Sequence, residues 1–176
     1  MINHEELELV LSEDKIQAKI KEMAADLDKR YEGKKPVVIG IMRGSLYFMS
    51  DLTKEMKIDL EVDVMSLSSY GLGSKSSGNV KILKDVDIDL VGRHVLVLED
   101  IVDTGTTLKY LKEYFERQSV ASVETISIFQ KKGTNIHGNA ADMIGFELPD
   151  SFLVGYGLDY ANRYRHLKNV YILNLP

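Results

Sequence analysis

The chain has 176 residues, 44% of them hydrophobic and 28% charged, and a formal net charge of −5. That length suits a single domain spanning 1–176, and the composition is that of an ordinary water-soluble globular protein. The acidic balance argues against a nucleic-acid partner, and the lack of cysteine excludes disulfides, thiolate metal sites and cysteine nucleophiles. No apolar run approaches the ~18 residues a membrane span needs, so no membrane partner is expected. The opening MINHEELELVLSEDK is acidic and has no apolar stretch, which predicts no signal peptide and hence a cytoplasmic location.

Ser12 is placed to cap a first helix, in which Ile16, Ile20, Met23, Leu27 and Tyr31 recur at helical spacing before Gly33 ends it. After Pro36, residues 37–42 read as a buried strand, followed by Arg43-Gly44-Ser45 and a helix carrying Leu46, Met49, Leu52 and Met56. Strand, glycine turn and helix in that order can form an anion-binding loop at a sheet's carboxyl edge. Equally, Gly44 could serve only the turn. Residues 58–67 alternate, which predicts a strand with Ile58, Leu60, Val62 and Val64 on one face and Asp59, Glu61 and Asp63 facing water. Residues 68–79 are rich in Ser and Gly and predict a mobile flap, with a strand resuming at 80–83.

The most informative stretch is HVLVLEDIVDTGTTL at 94–108. Its apolar opening predicts a central parallel strand buried on both faces. Glu99 and Asp100 follow at the carboxyl end, where open α/β sheets place their ligands. Asp103-Thr104-Gly105-Thr106-Thr107 then leads into a helix with Leu108, Leu111 and Phe115 on one side. Small hydroxylated residues around a glycine at a helix start can cradle a phosphate through backbone N–H groups. Two carboxylates beside such a nest would repel the phosphate unless they hold sugar hydroxyls or act through Mg²⁺, which favours oxygen ligands. A ligand with both a ribose diol and a phosphate satisfies both halves. The alternative is a strand–turn–helix whose acids merely cap the helix.

Further along, 122–129 predicts another strand, ending at Gln130-Lys131-Lys132-Gly133, and 143–146 and 170–173 predict two more. Taken alone, Phe152 reads as core, Asp159 as a possible helix cap and Arg165 as a surface charge. The four histidines, His4, His94, His137 and His166, show no metal-ligand spacing.

The segment from Val97 to Thr107 resembles the phosphoribosyl-pyrophosphate (PRPP) motif of the type I phosphoribosyltransferases: a hydrophobic pair, two acids, two apolar residues, an acid and a Thr-Gly turn. With SSYG at 68–71, SSG at 76–78, VKILKD at 80–85 and GFELPDSFLVGYGLDYANRYRHL at 145–167, the resemblance extends to the bacterial hypoxanthine (hypoxanthine-guanine) branch over nearly the whole chain. It implies an α/β type I phosphoribosyltransferase fold: a central parallel sheet flanked by helices, with a small hood and a flexible hairpin flap. It implies transfer of the phosphoribosyl group of PRPP to a 6-oxopurine, Mg²⁺ as cofactor, and a homo-oligomer, dimer or tetramer.

Residue by residue, the resemblance implies that Glu99 and Asp100 hold the ribose hydroxyls directly or through Mg²⁺. Asp103 is the general base, and Thr104, Gly105, Thr106 and Thr107 cradle the 5′-phosphate. Arg43, Gly44 and Arg165 serve pyrophosphate. Lys131 meets the purine O6, Phe152 stacks on the base, Leu153 contacts its edge, and Asp159 ligands a second Mg²⁺. Ser69 and Tyr70 belong to the lid. Two positions depart from the family pattern: Arg43 stands where Lys is usual, and Gln130 where Asp is common in bacterial relatives. Arginine keeps the charge but changes its geometry, being planar and forked. A xanthine or pyrimidine transferase on the same motif is a competing expectation, against which the 152–159 segment weighs for pyrimidines. A nucleotide-sensing regulator of RNA or DNA would need a basic face that this acidic chain lacks.

Overall fold

The computed structural model describes residues 7–69, 80–134 and 140–174. In chain order it comprises β1 (Leu7–Leu11), α1 (Glu13–Tyr31), β2 (Val37–Met42), α2 (Leu46–Glu55), β3 (Glu61–Ser69), β4 (Val80–Lys84), β5 (His94–Val102) and α3 (Thr106–Glu116). Then follow β6 (Ser122–Lys131), β7 (Met143–Leu148), β8 (Leu153–Val154) and β9 (Val170–Leu173).

Six strands form the main sheet in the order β4-β3-β2-β5-β6-β7. All neighbours are parallel except β3 and β4, which pair antiparallel. β5 is central because every residue from Val95 to Leu98 is apolar and can be buried on either face. Leu96 and Leu98 point to the side covered by α1 and α2, where Ile16, Ile20, Leu27, Phe48 and Leu52 meet them. Val95 and Val97 point to the other side, against Leu111 and Phe115 of α3. Each of these fully buried side chains contributes about 1.5–3 kcal/mol of burial free energy. The expected faces of α1 and α3 are the buried ones.

Four local expectations change. In α2 the expected Leu46 is exposed, and Phe48 takes the buried place beside Leu52. Ser12 occupies the N-cap position of α1 but makes no side-chain cap; instead Asn169 Oδ1 accepts the Glu13 N–H at 2.7 Å. A partner 156 residues away satisfies the helix end. In β3 the faces are reversed: Met65 is fully buried, Val62 is 53% exposed and the Asp63 side chain points inward. Burial alone would raise the Asp63 pKa, but N–H groups of Val64, Asp87 and Ile88 and the charge of Lys84 outweigh it and lower it. That polar socket takes the place an apolar residue was expected to fill. Finally, β1 was not anticipated. It pairs antiparallel with β9, Leu7 opposite Leu173, and β9 pairs with β8, giving a separate three-stranded sheet that carries 152–154 over the main sheet's carboxyl edge. No helix among the described residues is long and apolar enough to cross a membrane.

Candidate active site

β5 delivers Glu99 and Asp100 to the carboxyl edge of the sheet, and the chain turns through Gly105, at φ 81°, into α3. Glu99 is 7% exposed; burial first, then the neighbouring Asp100 charge, pushes its pKa well above the ordinary carboxyl range. Burial likewise raises Asp100, while the Ile101 N–H, donating to its Oδ1 at 2.9 Å, and the Arg165 charge act in the opposite sense. Among the described residues Arg165 is the one cation that acts on this pair, through Asp100, and Glu99 has none; a divalent cation or a diol would supply what burial withholds.

Thr104 and Thr106 join hydroxyls at 3.0 Å, and the first helical bond of α3 runs from the Lys109 N–H to the Gly105 carbonyl. A small cavity of about 90 Å³ is lined by Asp103 through Leu108 and floored by Glu99. It adjoins a second, of about 230 Å³, which shares Glu99, Ile101 and Thr107 and reaches Met42 and Gly44. A third, of about 240 Å³, shares Asp100 and Ile101 and is walled by Asp103, Lys131, Phe152 and Asp159. The three form one trough along the sheet edge, with acids at its centre.

The β2–α2 turn enters this trough through a cis peptide between Met42 and Arg43. Arg43 is exposed there. Gly44 lies so close to Asp100 that a Cβ on it would sit 1.7 Å from Oδ2. The turn is therefore a contact surface for Asp100 as well as a connection. From the opposite side Gly157, at φ +95°, presses on the Gly44 carbonyl, 2.0 Å from where a Cβ would stand. Arg165 donates from Nη1 to the Gly157 carbonyl at 2.6 Å and from Nη2 to Asp159 Oδ1 at 2.5 Å. Asp159 Oδ2 also accepts the Asn162 N–H at 2.8 Å, so this acid does cap its own turn while facing the third cavity.

Lys131, at the end of β6, holds its ammonium 3.7 Å from Asp103 and 3.5 Å from Asp150, and its side chain is 19% exposed. Lys132 is exposed, and its backbone N–H bonds to the Leu148 carbonyl. Phe152 is 45% exposed and meets Tyr160 edge-on at 5.4 Å, so it is not core; beside it Leu153 is buried. Gln130 buries its Oε1 without a hydrogen-bond partner among the described residues.

Thus the third cavity brings Asp100, Asp103, Lys131, Phe152, Leu153 and Asp159 together, and the Thr104–Thr107 loop and Gly44 adjoin it. Glu99, Asp100 and Asp159 are not gathered into a three-acid metal cluster; no such group exists among the described residues. Magnesium commonly takes one or two protein carboxylates and completes its shell with water and substrate phosphate, so this open donor set fits it. Tyr70 and the flap at 70–79 lie outside the described residues, as does the side chain of Ser69. Asp150, paired with Lys131, and Asp51, described below, carried no local signal in the sequence; both are isolated acids whose partners are distant along the chain.

A family model described as "Phosphoribosyl transferase domain" matches residues 8–161. The chain is 44% identical over 173 residues to the hypoxanthine-guanine phosphoribosyltransferase of Bacillus subtilis, covering 98% of this chain and 96% of that one. It is 46% identical over 165 residues to the enzyme of the same name from Lactococcus lactis, covering 94% and 90%. A crystal structure of a hypoxanthine phosphoribosyltransferase from Staphylococcus aureus superposes with a TM-score of 0.92 at 41% identity, covering 98% of this chain and 96% of the other. A phosphate nest and paired acids at the end of β5, joined to similarity that runs nearly from end to end, leave one conclusion: the chain belongs to the phosphoribosyltransferase family.

Proposed function

We propose that this protein is a purine-salvage transferase that moves the phosphoribosyl group of PRPP to N9 of hypoxanthine or guanine, giving IMP or GMP and pyrophosphate. The observation that carries the reading is the third cavity. It sets a lysine, a half-exposed phenylalanine and an acid around a base-sized space that opens directly onto the paired carboxylates and the threonine loop.

In this reading the backbone N–H groups and hydroxyls of 104–107 bind the 5′-phosphate, as a loop opening a helix is suited to do. Glu99 and Asp100 hold the ribose 2′ and 3′ hydroxyls. Arg43, the Gly44 backbone and Arg165 face the pyrophosphate, so that charge accumulating on the leaving oxygens meets guanidinium groups. The purine lies on Phe152 with its edge against the Leu153 backbone, and O6 accepts from the Lys131 ammonium. The C1′–O bond to pyrophosphate breaks as the N9–C1′ bond forms, and Asp103 takes the proton the base gives up at N7. When bound, Mg²⁺ supplies charge neutralisation for the pyrophosphate; Glu99, Asp100 and Asp159 are the residues that would hold it. Ser69 and Tyr70 close over the site and keep water from the ribosyl cation. The reading takes 1–176 as one cytoplasmic transferase domain that assembles with copies of itself into a dimer or tetramer.

Incubation of the purified protein with PRPP, Mg²⁺ and each of hypoxanthine, guanine, xanthine and adenine, followed by chromatography of the nucleotides, tests the assignment. IMP and GMP should form and be lost in excess EDTA. Undiminished turnover in EDTA would remove the metal from the reading, and AMP as the main product would overturn it.

A further inference from the structure

Two segments that carry cationic groups approach the trough from different parts of the chain. One is the Arg43-Gly44-Ser45 turn, out of which α2 rises. The other is 155–165, which bears Asp159 and Arg165 and holds an unusual concentration of left-handed backbone: Gly155, Tyr156, Gly157, Ala161, Asn162 and Tyr164 all have positive φ. Non-glycine residues in that region are strained and persist only where surrounding contacts over-determine them. Something must hold the second segment in place and fix it against the first.

Tyr156 is at the junction. Its ring is 5% exposed and packs edge-on against Phe129 at 6.1 Å, with Tyr47 of α2 at 6.3 Å. Its N–H bonds to the Leu167 carbonyl at 2.7 Å, and its hydroxyl donates to Asp51 Oδ2 at 2.7 Å. The same oxygen accepts Gln17 Nε2 at 2.7 Å, so α1 braces Asp51 from behind. Asp51 is in α2, whose N-terminal turn continues directly from Gly44. The residue after Tyr156 is Gly157, whose Cα bears on the Gly44 carbonyl and whose own carbonyl receives Arg165. Burial and the Asp51 carboxylate both push the phenol pKa up, so it remains a donor. Tyr156 lines none of the three trough cavities and touches no reacting group.

From this placement we infer that Tyr156, through its hydroxyl bond to Asp51, is a positioning residue that sets the spacing between the Arg43–Gly44 turn and the Asp159–Arg165 arm, and so tunes the pyrophosphate half of the site. The inference rests on the transferase reading for its kinetic consequence only. A phenylalanine ring would keep the packing on Phe129 but not the bond that fixes where α2 stands relative to 155–159. The purine wall takes Lys131 and Phe152 from other segments and meets the arm at Leu158, Asp159 and Tyr160, beyond the Gly157 that bears on Gly44. The effect should therefore fall mainly on the pyrophosphate half.

The test compares Tyr156→Phe, Asp51→Ala and the double variant with wild type. For each single variant the Michaelis constant for PRPP should rise about tenfold while that for hypoxanthine changes less than about twofold, since modest misplacement of a binding group is costly without any lost contact to the ligand. The double variant should be no worse than either single one, as expected of two ends of one interaction. Asp51→Asn keeps an acceptor oxygen and should restore most of the PRPP affinity. Hydrogen exchange read on the whole protein without ligand should quicken at the Tyr156 and Gly157 amides in Tyr156→Phe, while amides in the middle of α1 remain as in wild type. Equal shifts in both Michaelis constants, or unchanged exchange at 156–157, would overturn the proposal. Wild type that forms no nucleotide would remove the transferase reading and leave the exchange result to decide the tie.

Discussion

Gly44→Ala isolates the contact between the β2–α2 turn and Asp100. An ideal Cβ at residue 44 would stand 1.7 Å from Asp100 Oδ2, and real Cβ atoms essentially never approach closer than 3.0 Å. Opening that gap takes about 1.3 Å of movement, and neither wall can give it freely. Asp100 is anchored on β5 by the Ile101 N–H, and the turn is backed by Gly157, which already lies against the Gly44 carbonyl. The φ of Gly44 is not in the left-handed region, so the added methyl acts through space alone. A 1 Å misplacement of a binding group can cost ~10²-fold, and that loss in kcat/KM is expected here, seen mainly as a raised Michaelis constant for PRPP. Overpacking of this kind typically destabilises by about 1–3 kcal/mol, which for a chain of this size lowers Tm by roughly 2–12 °C. Steady-state kinetics at saturating hypoxanthine, with a thermal melt of the same preparation, measures both. A variant whose PRPP constant stays within a factor of about two of wild type would refute the steric account, because the overlap cannot be relieved without moving one of the two groups assigned to PRPP.

Glu99→Gln should stabilise the metal-free protein increasingly with pH. The folded state holds the Glu99 proton to a higher pH than the unfolded chain does, so wild type loses stability as pH rises from the unfolded carboxyl value of ~4.3 through the raised folded one, and glutamine does not. The difference in Tm should be near zero at pH 4 and positive at pH 8, and a difference independent of pH would contradict this. Asp103→Asn should lower kcat by ~10²–10⁴-fold with little change in the PRPP constant if Asp103 takes the purine proton; a stability loss with turnover intact would mark it as a turn residue. Lys131→Gln should abolish most activity on hypoxanthine while Lys132→Gln is nearly silent. An ammonium has three donors and suits the O6 acceptor, and leaving it unpaired against adenine costs ~1–3 kcal/mol or more. Equal behaviour of the two lysine variants would exclude Lys131 as the selector.

The parts of the fold that can be read locally are those whose causes are local. β5 carries four apolar residues in a row at 95–98, and the buried faces of α1 and α3 follow from spacing within the helices themselves. The acids and threonines of 99–107 are likewise contiguous, so their chemistry is visible before any tertiary contact is known. What escaped depends on distant partners. Leu7–Leu11 is a strand because Val170–Leu173 lies beside it, and nothing in its acidic surroundings announces that. Asp63 points inward because the backbone at 87 and 88 offers two N–H groups, which reverses the face an alternating pattern suggests. Ser12 looks like a cap, yet Asn169 provides the acceptor. Phe152 reads as core in any hydrophobicity count, and only the emptiness around its exposed face makes it available to a ligand.

The pairing of β1 with β9 brings the beginning and end of the described chain together, Leu7 against Leu173, in a sheet that shares no strand with the main one. Tension applied at the two ends would not shear this sheet but peel it one residue pair at a time, since the outermost pair takes the load first. β9 also carries β8, and the Leu173 N–H bonds to the Phe152 carbonyl. Peeling would therefore release the segment at 152–154 before the main sheet, with its acids and threonine loop, is loaded. Mechanically the described molecule is two parts, a small sheet closed by Leu7–Leu11 against Val170–Leu173 and a main sheet that shares no strand with it.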